Sequence, residues 1–116
     1  MAANLADKTC IPCSGGIPPM GVSAAKLLLA QAPAWTLMDD ARRIERTFRF
    51  PNFKEAMAFV TKVGDLAEAE GHHPDFHFGW GYATISMHTH KIKGLHENDF
   101  IMAAKIDRLP EATASR

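Results

Sequence analysis

Residues 42–71 read RRIERTFRFPNFKEAMAFVTKVGDLAEAEG, and they contain a change of period that decides the fold. From Arg42 to Phe50 the chain alternates: Ile44, Phe48 and Phe50 fall on one side, and Arg43, Glu45, Thr47 and Arg49 on the other. That is the signature of a half-buried strand, with Arg46 the exception on the apolar side. After Pro51 the spacing becomes helical. Asn52 is a good N-cap, and Phe53, Met57, Val60, Val63 and Ala67 form a stripe widened by Phe59 and Leu66. Gly71 suits the left-handed stop of a helix ending near Glu70.

Working outward, Ser23 is placed to cap a short helix from Ala24 to Gln31, stopped by Pro33, and Trp35 to Met38 reads as a strand. Asp39-Asp40 is turn chemistry. Downstream, Asp75–Gly79 and Tyr82–His88 read as two strands around Trp80-Gly81, and a last helix runs from Glu97 to about Arg108, ended by Pro110. Two hairpin-like pairs with a helix between them predict an α+β fold: a four-stranded antiparallel sheet with three helices on one face. Residues 1–22 are expected to be an irregular arm, 23–109 the domain, and 110–116 a flexible tail.

Composition narrows the function. A chain of 116 residues with 47% hydrophobic and 22% charged residues is an ordinary single globular domain. Net charge is zero, so there is no basic face for nucleic acid. Weak charge repulsion permits a homodimer or homotetramer. No apolar run approaches the roughly 20 residues that span a bilayer, and no leader pattern is present, so a cytoplasmic location is expected. Cys10 and Cys13 form a Cys-x-x-Cys pair without a second pair or a strand-to-helix setting, so they read as part of a Pro- and Gly-rich loop.

The chemistry lies in the histidines. His72-His73-Pro74 follows the long helix, and His90 follows the last strand. Imidazole exchanges protons near neutral pH, so several around one pocket suit acid–base catalysis. Pro74 disfavours helical geometry at His73. His72 and His73 then point to different sides and do different jobs. Glu68 lies one turn before His72, where it can orient an imidazole. Asp99 opens the last helix, where it either holds a histidine tautomer or simply favours the helix dipole. His77, His88 and His96 are assigned to surface or cap positions. Three histidines also suit zinc, but no metal-ligand spacing such as His-Glu-x-x-His is present, so no metal site is assigned.

Glu68-x-x-x-His72-His73-Pro74, then five residues to Trp80, nine to His90 and eight to Asp99, resembles the signature of the pterin-4a-carbinolamine dehydratases. Cys10-Ile-Pro-Cys-Ser-Gly-Gly-Ile-Pro-Pro, Trp35, Phe48-Arg-Phe50, Asn52-Phe53-Lys-Glu-Ala, Thr89-His90, Gly94-Leu95 and the Asp99–Asp107 helix extend the likeness. The resemblance implies conversion of 4a-hydroxytetrahydropterin to quinonoid dihydropterin and water, in tetrahydrobiopterin recycling for aromatic amino acid hydroxylases. It implies no metal or organic cofactor, and a dimeric or tetrameric assembly. His72, His73, His90 and Glu68 become the catalytic candidates, and Pro74, Thr89, Trp35 and Asp99 the pterin-binding ones. Trp80 is assigned to packing.

Three positions depart from the family pattern. His96 replaces the usual Thr or Ser cap, Asn98 replaces a basic residue of the animal proteins, and His88 stands where small residues are common. Animal members also serve as dimerisation partners of a transcription factor. The alternative is therefore a protein-binding module or regulator with a vestigial pocket, marked by exposed apolar residues on the long helix such as Phe59 or Leu66.

Overall fold

In the computed structural model, which describes residues 4–11 and 18–113, the period change falls where the sequence places it. Strand β2 covers Arg43–Arg49 and helix α2 covers Phe53–Glu70. The Asn52 side chain accepts the Glu55 N–H at 2.9 Å, and Gly71 closes the helix at φ 66°. Before them lie α1 (Val22–Leu29) and β1 (Thr36–Met38); after them come β3 (Asp75–Gly79), β4 (Tyr82–Met87), α3 (Glu97–Asp107) and α4 (Pro110–Thr113). All sheet pairings are antiparallel, in the order β1-β2-β4-β3. This is the expected α+β architecture.

Register follows from burial. Ile44 pairs with Met87 and Phe48 with Ala83, so these residues share the core face with Ile85. Phe59 of α2 packs against Phe48 and Phe50 at ring separations of 4.7 and 5.1 Å. The opposite sheet face is polar: Thr47 and Thr84 hydroxyls meet at 2.8 Å, and Arg43 donates to Ser86 at 2.9 Å.

Helix α3 is buried on almost every side, from Asn98 to Ala104 and again at Ile106. A helix in that position has no polar stripe to display. The sheet and α2 cover one side of it, and α1 and the N-terminal arm cover another. The arm docks through polar contacts. Lys105 Nζ donates to the Ala6 carbonyl at 3.0 Å, Lys8 pairs with Glu97 at 2.7 Å, and Cys10 N donates to Glu70 at 2.8 Å. Asn98 grips the Ile11 backbone in both directions, accepting at 3.0 Å and donating at 2.6 Å. Leu5 is buried within a single 3-10 turn, Leu5–Asp7. Cys13 lies outside the described residues.

Several boundaries shift for local reasons. Gly21, not Ser23, is the N-cap of α1, because the backbone is already helical at Val22. Trp35 closes a turn by donating its N–H to the Ala32 carbonyl, so β1 starts at Thr36. Strand β4 stops at Met87, which frees His88 from the ladder. The expected stripe on α2 is rotated. Ala56, Phe59, Val63 and Ala67 form its buried centre, while Phe53 and Met57 are about two-fifths exposed. Trp80 is 70% exposed rather than packed. Pro110 ends α3 but starts one more helical turn, which buries Ala112 where a flexible tail was expected. His96 caps α3 fully: its Nδ1 accepts the Asn98 N–H at 3.0 Å, and Asp99 answers with the reciprocal bond of a capping box. His96 thus takes the capping role that Thr or Ser was expected to fill. No helix among the described residues is long and apolar enough to cross a membrane.

Arg46, the exception in the strand pattern, has a physical answer. Its guanidinium lies 4.2 Å from the Phe48 ring centre and pairs with Asp107 at 2.6 Å. Asp107 also accepts the Trp35 indole N–H at 2.9 and 3.1 Å. Burial pushes the Asp107 carboxyl above its ordinary range, against the pull of Trp35 and Arg46. Replacing Arg46 with Ala strands that carboxylate, and urea unfolding should show a loss of about 2 kcal/mol. Burial, then the neighbouring Glu70 charge, pushes the Cys10 thiol from 9.0 up to about 12. A raised folded-state value means that stability falls as pH rises from 9.0 towards 12. At pH 8, iodoacetamide should leave Cys10 unmodified in native protein and label it on unfolding; peptide mass mapping checks this.

Candidate active site

Three segments meet at the open end of the β3–β4 hairpin. The left-handed Gly71 swings the chain out of α2, and the His72 N–H still donates to the Ala67 carbonyl at 3.2 Å. That turn sets His72 and His73 beside the Thr89–Lys91 loop. A cleft of about 220 Å³ is lined there by Ile11, His72, His73, His88, Thr89 and His90, with Gly71 and Lys91.

A single carboxylate organises the inner wall. Asp99 is fully buried at the start of α3. Its Oδ1 meets His72 Nε2 at 2.6 Å, and its Oδ2 accepts from Thr89 Oγ1 at 2.8 Å and from the His96 N–H at 3.0 Å. An ionised carboxylate only accepts, so the proton of neutral His72 sits on Nε2, and Nδ1 keeps its lone pair. The His72 side chain is only 11% exposed, which holds that orientation.

His73 is built differently. Its Nε2 meets Glu68 Oε2 at 2.5 Å, and both side chains are well exposed. Glu68 therefore serves His73, not His72. The left-handed residue at Gly71 advances the chain so that the second histidine, rather than the first, comes back over the helix end. The two adjacent histidines have separate carboxylate partners.

His90 sits in a 3-10 turn, His90–Ile92, closed by the Thr89–Gly94 bridge. Thr89 N donates to the Gly94 carbonyl at 2.8 Å, and Lys93 takes φ 53° to close the loop. His88 was assigned to the surface, yet it lines the cleft with its Nε2 at 3.1 Å from His90 Nδ1. The signal for it was its shared strand parity with His90. His77 stays apart, bonded to the Tyr82 hydroxyl at 3.0 Å. Ile11 enters the cleft because Asn98 holds its backbone, which gives Asn98 a structural task.

The structure thus brings His72, His73, Thr89 and His90 together, with Glu68 and Asp99 behind them. Pro74 is half-buried where the chain enters β3 and does not line the cleft. Trp35 is 2% exposed and committed to Asp107 and Phe48, so it does not line the cleft either.

Fold and site together define a sheet-and-helix domain of the pterin dehydratase class. A crystal structure described as a transcriptional coactivator/pterin dehydratase from Brucella melitensis superposes with a TM-score of 0.71 at 27% identity, covering 77% of this chain and 95% of that one. A pterin dehydratase-like protein described as a RuBisCO assembly factor of the alpha-carboxysome shares the fold, with a TM-score of 0.57 at 24% identity, covering 68% of this chain and 89% of that one. The chain belongs to the pterin 4 alpha carbinolamine dehydratase family, whose sequence profile matches residues 18–109. It is 61% identical to a protein of Aromatoleum aromaticum named "Putative pterin-4-alpha-carbinolamine dehydratase", across 94% of this chain and 97% of that protein. A Methylococcus capsulatus protein of the same name is 58% identical, across 93% and 95%.

The loop that carries His90 depends on Gly94. A Cβ there would lie 2.4 Å from Pro19 Cβ, inside van der Waals contact. Gly94→Ala should therefore cost about 1–3 kcal/mol in thermal or urea unfolding, since Pro19 or the loop must shift to relieve the overlap.

Proposed function

We propose that this protein dehydrates 4a-hydroxytetrahydropterin to quinonoid dihydropterin by histidine acid–base catalysis, as a step of tetrahydrobiopterin recycling. The observation that carries the proposal is the convergence of His72, His73 and His90 on one cleft, with His72 held by a fully buried carboxylate. Family membership supplies the pterin as the substrate class.

The reaction breaks the C4a–O bond. The bond's electron pair goes to oxygen, which takes a proton and leaves as water, while the adjacent ring N–H gives up its proton and forms the C=N bond. One acid and one base are enough, and each is reset by the proton the other step handles. His72 is the base. The charge it gains is stabilised by Asp99, as a carboxylate stabilises an imidazolium in other enzymes. His90, on the loop side of the cleft, delivers the proton to the departing oxygen. His73, steadied by Glu68, binds the polar edge of the heterocycle, and the Thr89 backbone and Ile11 flank it. Asp99 and Glu68 are positioning residues here. Pro74 fixes the entry of His73 into the site.

A cytoplasmic location, a homodimer or homotetramer, and an aromatic amino acid hydroxylase as client belong to the same proposal. Exposed Phe53, Met57 and Trp80 are available for self-association. The regulator reading called for exposed apolar residues on the long helix; the two given as examples are covered, Phe59 fully and Leu66 by half, while Phe53 and Met57 of the same helix are exposed.

In a stopped-flow assay with generated 4a-hydroxypterin, His72→Ala and His90→Ala should each lower kcat by about 10²–10⁴-fold while circular dichroism stays unchanged. Asp99→Asn should lower kcat more than it raises KM and shift the acidic limb of the pH profile, where the base His72 must be unprotonated, because it acts through His72. Near wild-type rates in both histidine variants would refute the assignment. Prior treatment with EDTA should not lower turnover.

A further inference from the structure

His88 has no part in the chemistry just proposed, yet it is held against a residue that does. Strand β4 ends at Met87, but Thr89 remains extended at φ −103° and ψ 107°. The alternation of a strand therefore persists. Met87 and Thr89 point inward and are buried, and His88 and His90 emerge on the same outer side. Asp75, the first residue of β3, pairs in register with Ser86 and so shares this face, diagonal to His88.

Three ligating side chains meet there. Nε2 of His88 lies 3.1 Å from Nδ1 of His90, with ring centres 4.0 Å apart. Asp75 Oδ2 lies 3.8 Å from His88 Nδ1. One donor atom from each residue can be chosen so that all lie within 4.8 Å of one another. Ligand atoms on a tetrahedral zinc ion with bonds of about 2.0–2.1 Å are about 3.3 Å apart, close to the observed nitrogen–nitrogen separation. Asp75 is largely exposed and free to rotate the remaining distance inward. Its carboxylate offsets part of the ion's charge. Two imidazoles and one carboxylate favour zinc, nickel or copper over magnesium or calcium. Water completes the shell on the open side.

We propose that Asp75, His88 and His90 bind one borderline divalent cation, zinc foremost, and that occupancy silences the cleft by sequestering His90. The silencing rests on the function proposed above; the binding does not. A cation on His90 Nδ1 takes the lone pair that would hold the second proton, so the ring cannot become the imidazolium that donates to the departing oxygen, and metal and turnover exclude each other. The competing explanation is a bare hydrogen-bonded chain from Asp75 through His88 that only orients His90.

The experiment is calorimetric titration of Zn²⁺ into chelator-stripped full-length protein, run beside the dehydratase assay. Wild type should bind one Zn²⁺ per chain at this site. His88→Ala and Asp75→Asn should each weaken it tenfold or more, and Mg²⁺ should give no heat. Zn²⁺ should lower the wild-type rate, EDTA should restore it, and Asp75→Asn protein should keep its metal-free rate and resist Zn²⁺. Zinc binding unchanged by both substitutions, or none below millimolar concentration, overturns the site. Substitution-sensitive binding with undiminished turnover overturns the silencing. Substitution-sensitive binding by a protein with no metal-free dehydratase activity supports the site and refutes the proposed function instead.

Discussion

The Asp99 carboxylate is the constraint around which this end of the molecule is built. It is fully buried, and a buried carboxylate is tolerated only where donors replace the water it has lost. Those donors come from three places in the chain: the turn after α2 (His72), the loop after β4 (Thr89) and the N-cap of α3 (His96). The charge also sits in the first turn of α3, where the helix dipole favours it. One group therefore starts a helix, fixes a histidine tautomer and ties two loops together. The sequence reading weighed dipole partner against imidazole holder for Asp99. In the structure it is both, because the buried carboxylate has enough lone pairs to do both at once.

The same economy explains the N-terminal arm. Helix α3 is apolar almost all round, so a sheet on one side would leave it half exposed. The arm and α1 supply the missing cover. The arm's backbone polar groups are then satisfied by Asn98, Glu70, Gln31 and Lys105. Asn98 neighbours Asp99, so the contact that seats the arm and the contact that seats His72 lie on consecutive residues. Placing Ile11 in the cleft follows from covering α3.

What the sequence revealed, and what it concealed, divides along the range of the forces involved. Asn52, Gly71 and the switch from period two to period 3.6 are local signals, and α2 falls where they place it. Arg46 was visible only as an anomaly, since its partner Asp107 is 61 residues away. The stripe on α2 was read one position off, because Ala56 is small and carries little hydrophobic weight although it is fully buried. Which histidine Glu68 meets is not legible in the sequence, since helical spacing cannot anticipate the change of direction at a left-handed glycine. The meeting of His72 with the Thr89-His90 loop could not be derived from patterning at all. It was expected from the family spacing, and sheet order β1-β2-β4-β3 is what achieves it.

His88 shows how one side chain can change the character of a site. A small residue at the end of β4 leaves His90 alone on its face of the loop. An imidazole there crowds it, and a nitrogen–nitrogen contact of 3.1 Å holds at most one shared proton. Such a pair resembles two ligands waiting for a cation more than two independent bases, and Asp75 adds the negative charge that a cation needs. On the inner wall Asp99 holds His72 Nε2 in a charge-assisted bond, and among the described residues His72 joins no cluster of three ligating side chains. The cleft is thus asymmetric. One histidine is held by a buried carboxylate without further ligands gathered round it, while the other is exposed and within reach of two. A cation is therefore favoured on the open side, where the ligands converge.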